Sequence, residues 1–456
     1  MELKRTIYNK LLEWKKEDSE QVLQLEGARQ VGQTYILQKF AKENYKNFIY
    51  INMAQTSGKR FSKIINDDTE YLQDMHTVLD KYTNGSFSDT KDTIIVIDEI
   101  QESSDVYSRV REFAREFTCD VVVTGSYLGR TLNSKDFFLP AGDLRTLTMH
   151  TLSFEEFLDA NGMLDCYNSL DLLGNSDHAD YDKIKEYYNV YCLIGGYPAV
   201  VKKYLETHSV AKALSEVEEI VNIFVNESIR YIDDITDITI LKQALTSIAN
   251  IMTTEKRGNS NLVEEIHKQI YHKDDNRINK KEIHEIISWL YTSKMIGYCG
   301  SVNNGDRASI TANRRFYFSD NGVAFYFLQE CTGLESDIIG ILNENFVYTC
   351  LVAKHTEKRL RTSTPNFCLY DGGELDFFEI SNYDDKVYGI EVKSGKGIGV
   401  TANKLLDNKK IDYLYLLKGD TYGGKFDEHK YTIPIYLCSR LKFNLGEKMK
   451  LMNFFS

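Results

Sequence analysis

Residues Gly27-Ala28-Arg29-Gln30-Val31-Gly32-Gln33-Thr34 carry the spacing G-x-x-x-x-G-K-[ST] of a phosphate-binding loop at every place but one. The two glycines let backbone N–H groups wrap around phosphates, and the start of the following helix favours anions. Thr34 supplies a hydroxyl suited to Mg2+. Gln33 stands where a lysine would bring positive charge to the β- and γ-phosphates, and a carboxamide donates a hydrogen bond without that charge. A second element follows: the apolar run Ile94–Ile97 ends in Asp98 and Glu99. Asp98 is placed to hold Mg2+ through water, and Glu99 to polarise an attacking water. A third run, Val121–Val123, ends in Thr124, Gly125 and Ser126. Its terminal hydroxyl makes Ser126 a catalytic candidate beside Glu99. Three strand ends of this chemistry in this order point to a phosphate-bearing ligand with Mg2+.

A separate constellation lies near the C-terminus. Glu374 and Asp376 are two residues apart, as are Glu391 and Lys393 on the next expected strand. Residues i and i+2 share a strand face. Leu375, Phe377 and Val392 would then face a core. Two carboxylates and a lysine on adjacent strands can bind a divalent metal and position a water. The plain alternative is a surface hairpin with ion pairs worth less than about 1 kcal/mol each.

The elements that must position these groups are legible in outline. Gln21–Glu26, Phe48–Asn52, Thr93–Asp98 and Asp120–Thr124 read as strands. Helical patterns at Thr34–Tyr45, Thr69–Lys81 and Val106–Phe117 separate them. Near-continuous apolar strands alternating with helices predict a parallel sheet covered on both faces. Ser153-Phe-Glu-Glu156 reads as a capping box that starts a helix leaving this core. Residues 161–235 look helical, with Pro198 at the first turn of a helix after Gly195-Gly-Tyr. Helices at Ile240–Met252, Asn261–Gln269 and Lys280–Lys294, with strands at Ile296–Ser301 and Arg314–Ser319, suggest a winged-helix unit. Beyond 335 come a helix (Leu342–Lys354) and strands at Phe367–Leu369, Glu374–Ile380, Val387–Lys393, Tyr413–Lys418 and Thr432–Cys438.

The chain of 456 residues has a net charge of −12 and four prolines. It is not a uniformly basic nucleic-acid coat, a polybasic membrane binder or a disordered chain. The acidity is local. Residues 1–235 hold 26 basic and 39 acidic side chains, and residues 236–456 hold 29 and 28. Nucleic-acid contact by the second half is therefore not excluded by charge. Lys280, Lys281, Arg314 and Arg315 are candidates for phosphate contacts to duplex DNA, and a domain-packing module with solvated charges is the equal alternative. No apolar run approaches a membrane span, and eight scattered cysteines without a C-x-x-C pair suit a reduced, cytoplasmic setting.

The phosphate loop, Val96-Ile-Asp-Glu-Ile-Gln101, Thr124-Gly-Ser126, Leu152-Ser-Phe-Glu-Glu-Phe157 and Gly195-Gly-Tyr-Pro198 resemble motifs of the bacterial and archaeal AAA+-type ATPases that carry a C-terminal region of uncertain role. The resemblance implies an α/β chain in four parts. Residues 1–160 would be a P-loop NTPase core with a parallel sheet, and 161–235 a helical lid. Residues 236–334 would be a winged-helix-like domain, and 335–456 a nuclease-like α/β domain. The last part is similar to PD-(D/E)xK nucleases, which implies Asp376 and Glu391 as metal ligands, Lys393 as the water-positioning cation and Glu344 as an added acidic position. Two departures stand out. Arg145 follows Gly142 at a distance where that family has Gly-Arg, leaving it as a phosphate or intersubunit contact or an ordinary surface arginine. Gln33 replaces the lysine. The loss is natural, or engineered, or offset by another cation such as Arg29 or a neighbouring subunit's residue. The expected partners are ATP, duplex DNA through the C-terminal half and further copies of the chain, with no membrane. The leading expectation is an ATP-binding switch with weakened hydrolysis; the runner-up is a nucleotide-sensing adaptor without chemistry.

Overall fold

The computed structural model describes residues 2–17, 20–66, 74–125, 142–228, 230, 232, 239–254, 258–271, 280–331, 335–393, 397 and 399–446. The chain divides into two compact units, one of Glu2–Thr151 with Thr292–Lys294, the other holding Leu152–Tyr291 and the chain from Met295 onward.

The first unit is built on five parallel strands: β1 (Val22–Gly27), β2 (Asn47–Asn52), β3 (Thr93–Asp98), β4 (Asp120–Gly125) and β5 (Leu144–Met149). Their order is β2-β3-β4-β1-β5. All six residues of β3 are buried, which is why the run Thr93–Ile97 is apolar without alternation. On one face, Phe61 and Ile65 from helix Thr56–Asn66 and Val78 and Leu79 from helix Met75–Tyr82 pack on Ile95, Ile97, Val121 and Val123. Helix Gln33–Asn44 buries Ile36, Leu37, Phe40 and Ala41. Strand β5 carries no clear strand signal because Leu144–Met149 mixes polar and apolar residues, with Arg145-Thr146 breaking the alternation, and lies half-exposed along β1. The expected helix at Thr69 falls partly outside the described residues, and its described part begins at Met75 after an Asp74 cap.

The second unit opens with helix Phe154–Ala160, whose Ser153–Glu156 capping box is complete on both sides. Helices His178–Ile194, Pro198–Thr207 and Val210–Ser228 follow. Gly195 (φ 69°) and Gly196 form a close approach rather than a mere interruption. Gly196 N–H donates to Asp320 Oδ2 at 2.8 Å, Leu152 N–H donates to Gly196 O at 2.7 Å, and a Cβ on Gly195 would lie 2.0 Å from Asp320 Oδ1. Asp320 also caps helix Asn321–Leu328 through the N–H groups of Gly322 and Val323.

The expected two-stranded wing is longer and is not isolated. Strand β6 (Ile296–Asn303) and β7 (Asp306–Phe318) form a hairpin, but β6 also pairs in parallel with β8 (Asn366–Tyr370), which pairs with β9 (Gly373–Leu375). A third sheet orders β10 (Phe377–Ile380), β11 (Val387–Lys393), β12 (Tyr413–Lys418), β14 (Lys430–Pro434) and β13 (Gly424–Lys425). The single strand expected at Glu374–Ile380 is therefore broken at Asp376. Leu375 enters the core around Leu405 and Leu414, whereas the Phe377 ring faces Tyr317, so the chain changes sheets between them. Among the described residues, no helix is long and apolar enough to cross a membrane.

Candidate functional site

Strand β1 lies inside the sheet, between β4 and the edge strand β5, and its C-terminal end opens on the side where the carboxyl ends of the strands meet ligands in open α/β folds. Gly27 ends β1 under Met149: a Cβ there would come within 2.4 Å of Met149 O. The loop then turns through Gln30 (φ 64°) and Gly32 (φ 96°), both left-handed. Gly32 precedes helix Gln33–Asn44, whose first N–H groups lack intrahelical acceptors. Arg5 braces the loop, donating from Nη1 to Val31 O at 2.8 Å and from Nη2 to His150 O at 2.6 Å.

The side chain of Gln33 does not extend from this loop. It is buried, and its Nε2 donates to Leu25 O at 3.0 Å. The same carbonyl accepts from Thr124 Oγ1 at 2.8 Å. Thr34 Oγ1 donates to Asp98 Oδ2 at 2.7 Å. Asp98 is 3% exposed, and its Oδ2 also accepts from Tyr50 OH at 2.6 Å while Oδ1 accepts from Glu99 N–H. A hydroxyl and a carboxylate at this spacing are the hard oxygen donors that Mg2+ takes, so these residues fit the ion.

Glu99 follows with φ 52°. Its Oε1 lies 3.4 Å from Arg29 Nη1, and its Oε2 accepts from Gln101 Nε2. Burial raises the proton affinity of Glu99, and Gln101 and Arg29 partly oppose that. Ser126 lies outside the described residues. The roles of Tyr50 and Gln101 have no local sequence signal, because their contacts depend on strand order and on the turn after β3. Arg145 pairs with Glu17 and lies half-buried, which is the ordinary surface reading.

In the second unit, the acidic residues do come together, but around an internal cation. Arg315 on β7 is 6% exposed. Its Nη1 lies 3.2 Å from Glu344 Oε1 and 3.7 Å from Asp376 Oδ1, and its Nη2 lies 2.8 Å from Glu374 Oε2. Tyr317 OH donates to Glu344 Oε1 at 2.5 Å, and Val392 N–H donates to Asp376 Oδ2 at 2.8 Å. Lys393 Nζ is 2.6 Å from Glu391 Oε1. Burial and then Asp376 push Glu391 up to about 8 and also raise Glu344. Burial works against the Lys393 charge, but Asp376 and Glu391 outweigh it and raise its pKa.

Two expectations are corrected here. Arg315 is not an exposed DNA contact, since its guanidinium is buried among carboxylates and over the Phe367 ring at 4.4 Å. The set Asp376, Glu391 and Glu344 is not arranged as a metal cage; among the described residues, no group of three or more His, Cys, Asp or Glu is placed to hold a metal. A guanidinium between Glu344 and Asp376 is the physical reason. Arg314 is exposed, stacked on Tyr298 at 4.6 Å, and Lys280 and Lys281 pair with Glu264 and Glu285.

Residues 19–158 match the family model described as AAA domain, and residues 185–333 match a domain of unknown function, DUF8612. No curated protein matches the chain. Solved structures similar to it include the Aeropyrum pernix ORC1 protein in complex with DNA, at 15% identity and TM-score 0.32, covering 72% of this chain and 93% of that one. The Aeropyrum pernix ORC2 protein, solved as ADPNP-ADP complexes, gives 10% identity and TM-score 0.37, covering 75% and 94%. The Thermotoga maritima RuvB Holliday junction branch migration motor gives 13% and 0.28, covering 65% and 89%. The first unit is thus an AAA+-like α/β domain with a five-stranded parallel core, followed by additional sheet-containing structure.

Proposed function

We propose that this chain is an ATP-binding switch of AAA+ type whose hydrolysis is weakened at Gln33. The observation that carries the reading is the meeting of Thr34 and Asp98 at 2.7 Å beside a left-handed, glycine-bearing loop at the carboxyl end of an inner strand of a parallel sheet. Bound Mg2+ would neutralise charge on the β- and γ-phosphates and orient them for attack. Thr34 and Asp98 hold that ion's coordination sphere, and loop N–H groups from Gly27 through Thr34 receive the phosphates. Glu99 orients the attacking water and accepts its proton, a task suited to a carboxylate with raised proton affinity. Ser126 is assigned as a phosphate-sensing hydroxyl from its sequence position alone. Gln33 gives no charge to the terminal phosphates, which costs on the order of 1.5–3 kcal/mol of a charge-assisted contact.

The division into core (1–160), lid (161–235), winged-helix-like part (236–334) and nuclease-like end (335–456) belongs to the same reading, with nucleotide occupancy passed to the C-terminal parts. Duplex DNA held by that half, assembly with further copies and a second divalent metal near Asp376, Glu391 and Glu344 are its extensions. The metal would have to displace Arg315 from the carboxylates. Cleavage of plasmid with Mg2+ or Mn2+, lost in Asp376→Ala, would support a nuclease; no cutting with or without ATP would remove it. The second reading, a nucleotide-sensing adaptor without chemistry, is favoured by the Gln33 amide, which is committed to Leu25 O.

The deciding experiment is a thermal-shift titration with ATP and Mg2+, followed by turnover in the parent and in Gln33→Lys. A shift in the parent and faster turnover in the variant are expected. No shift at millimolar nucleotide defeats the switch, and equal, brisk turnover in both defeats weakened hydrolysis.

A further inference from the structure

Arg29 is the one charged side chain of the loop Gly27–Thr34. With Gln33 neutral and its Nε2 on Leu25 O, no other loop residue can bring positive charge to a bound phosphate. Arg29 sits two residues past the end of β1, and its Nη1 reaches Glu99 Oε1 at 3.4 Å. Both side chains are partly open, 30% for Arg29 and 21% for Glu99. The guanidinium therefore stands at the mouth of the loop, on the side of the residue assigned to the water.

We propose that Arg29 supplies the positive charge for the terminal phosphates that lysine supplies in other loops of this spacing, and that Glu99 and those phosphates compete for it. The inference rests on the nucleotide-binding reading above. The chemistry of the side chain suits it. A guanidinium is always charged and presents its donors as a fork, so it can serve phosphate oxygens in a bidentate manner. The competition links binding to the water-orienting group. When phosphate draws Arg29 away, Glu99 keeps Gln101 Nε2 and loses its guanidinium contact. A monophosphate, lacking the terminal groups, would leave the Arg29–Glu99 pair in place.

The test is equilibrium binding of fluorescent ATP and AMP analogues with Mg2+ to the full chain. Arg29→Met is expected to weaken ATP about 10- to 100-fold, the range of one lost charge-assisted contact, and to leave AMP within about threefold. Arg29→Lys should retain most of the ATP affinity. Gln33→Lys should make Arg29→Met nearly silent, because the charge is then supplied twice. Glu99→Gln should tighten ATP by up to about fivefold in the parent and not in Arg29→Met. A parent that binds ATP equally well with Met at position 29 overturns the inference and leaves the nucleotide reading standing. A parent that binds neither nucleotide overturns both. If Arg29→Met does not fold, the Arg29→Lys and Glu99→Gln pair still decides: an unchanged ATP affinity in Glu99→Gln overturns the competition.

Discussion

Glu391→Gln should stabilise the second unit, and more so as the pH rises. Glu391 is 4% exposed, and among the described residues its Oε2 has no hydrogen-bond partner. Burial, with Asp376 adding to it and Lys393 opposing, pushes the carboxyl from 4.5 up to about 8. In the unfolded chain it titrates near its ordinary value. Between these two pH values the folded state holds a proton that the unfolded state has released. Stability therefore falls as pH rises, by about 1.4 kcal/mol per pH unit for one fully retained proton. The full interval sets an upper bound of about 5 kcal/mol. Lys393 is about a third exposed, so solvent screens part of its share, and about 2–4 kcal/mol is the expected gain at pH 8. Glutamine is neutral throughout, so the variant and parent should be nearly equally stable at pH 5. Trp14 lies in the first unit and Trp289 in the second, both buried. Urea unfolding followed by fluorescence in a Trp14→Phe background thus reads the unit that holds Glu391. Parallel stability–pH profiles for the parent and the Glu391→Gln chain from pH 5 to 8 would refute the reasoning.

Arg315→Met should cost about 3–5 kcal/mol at pH 8, because Glu344, Glu374 and Asp376 lose their shared cation, and clearly less at pH 5; denaturant midpoints at the two pH values check it. Asp320→Ala removes both the cap on Gly322 and Val323 and the bond from Gly196, so a loss of about 2–3 kcal/mol is expected in the same unfolding assay. Thr34→Val should abolish the strengthening of ATP binding by Mg2+ while leaving Mg2+-free binding within about twofold, measured by paired titrations with and without the ion.

The legible parts of the fold are those where one chemical requirement dominates a short segment. Strand β3 is buried on both faces, so its sequence contains little but apolar residues before Asp98. The Ser153–Glu156 cap needs four residues and no tertiary partner. Strand β5 escapes a sequence reading because an edge strand needs no continuous apolar run. The break at Asp376 escapes it for a different reason. Glu374–Ile380 reads as one strand with a single slip in its alternation at Phe377-Phe378, and the chain changes sheets because Leu375 and Phe377 have different cores waiting for them. The Walker-type residues are legible from spacing. Their partners are not, since Tyr50 reaches Asp98 only through the pairing of β2 with β3. Arg315 misleads because adjacent arginines on a strand look alike in sequence, while alternation sends Arg314 to solvent and Arg315 inward.

The two acidic centres solve one physical problem in different ways. A carboxylate taken out of water must be matched by donors or charge, or else hold a proton. Asp98 is matched by donors from Thr34, Tyr50 and the Glu99 backbone, all neutral. Its negative charge is thus still available to a cation, and Thr34 can rotate from donating to Asp98 to ligating beside it. The C-terminal cluster is matched by charge. Arg315 faces three carboxylates and Lys393 a fourth, and the remaining imbalance of four acids against two cations is carried by raised proton affinities at Glu344, Glu374 and Glu391. An incoming divalent cation there must expel protons and contend with a buried guanidinium; at Asp98 it must only share a carboxylate with hydroxyls. Any cation uptake at the C-terminal cluster should accordingly require loss of protons from Glu344, Glu374 and Glu391, and so rise with pH toward 8. A metal titration at pH 6 and pH 8, read by Trp289 in the Trp14→Phe background, tests this; cation binding at the cluster equal at the two pH values would contradict the division.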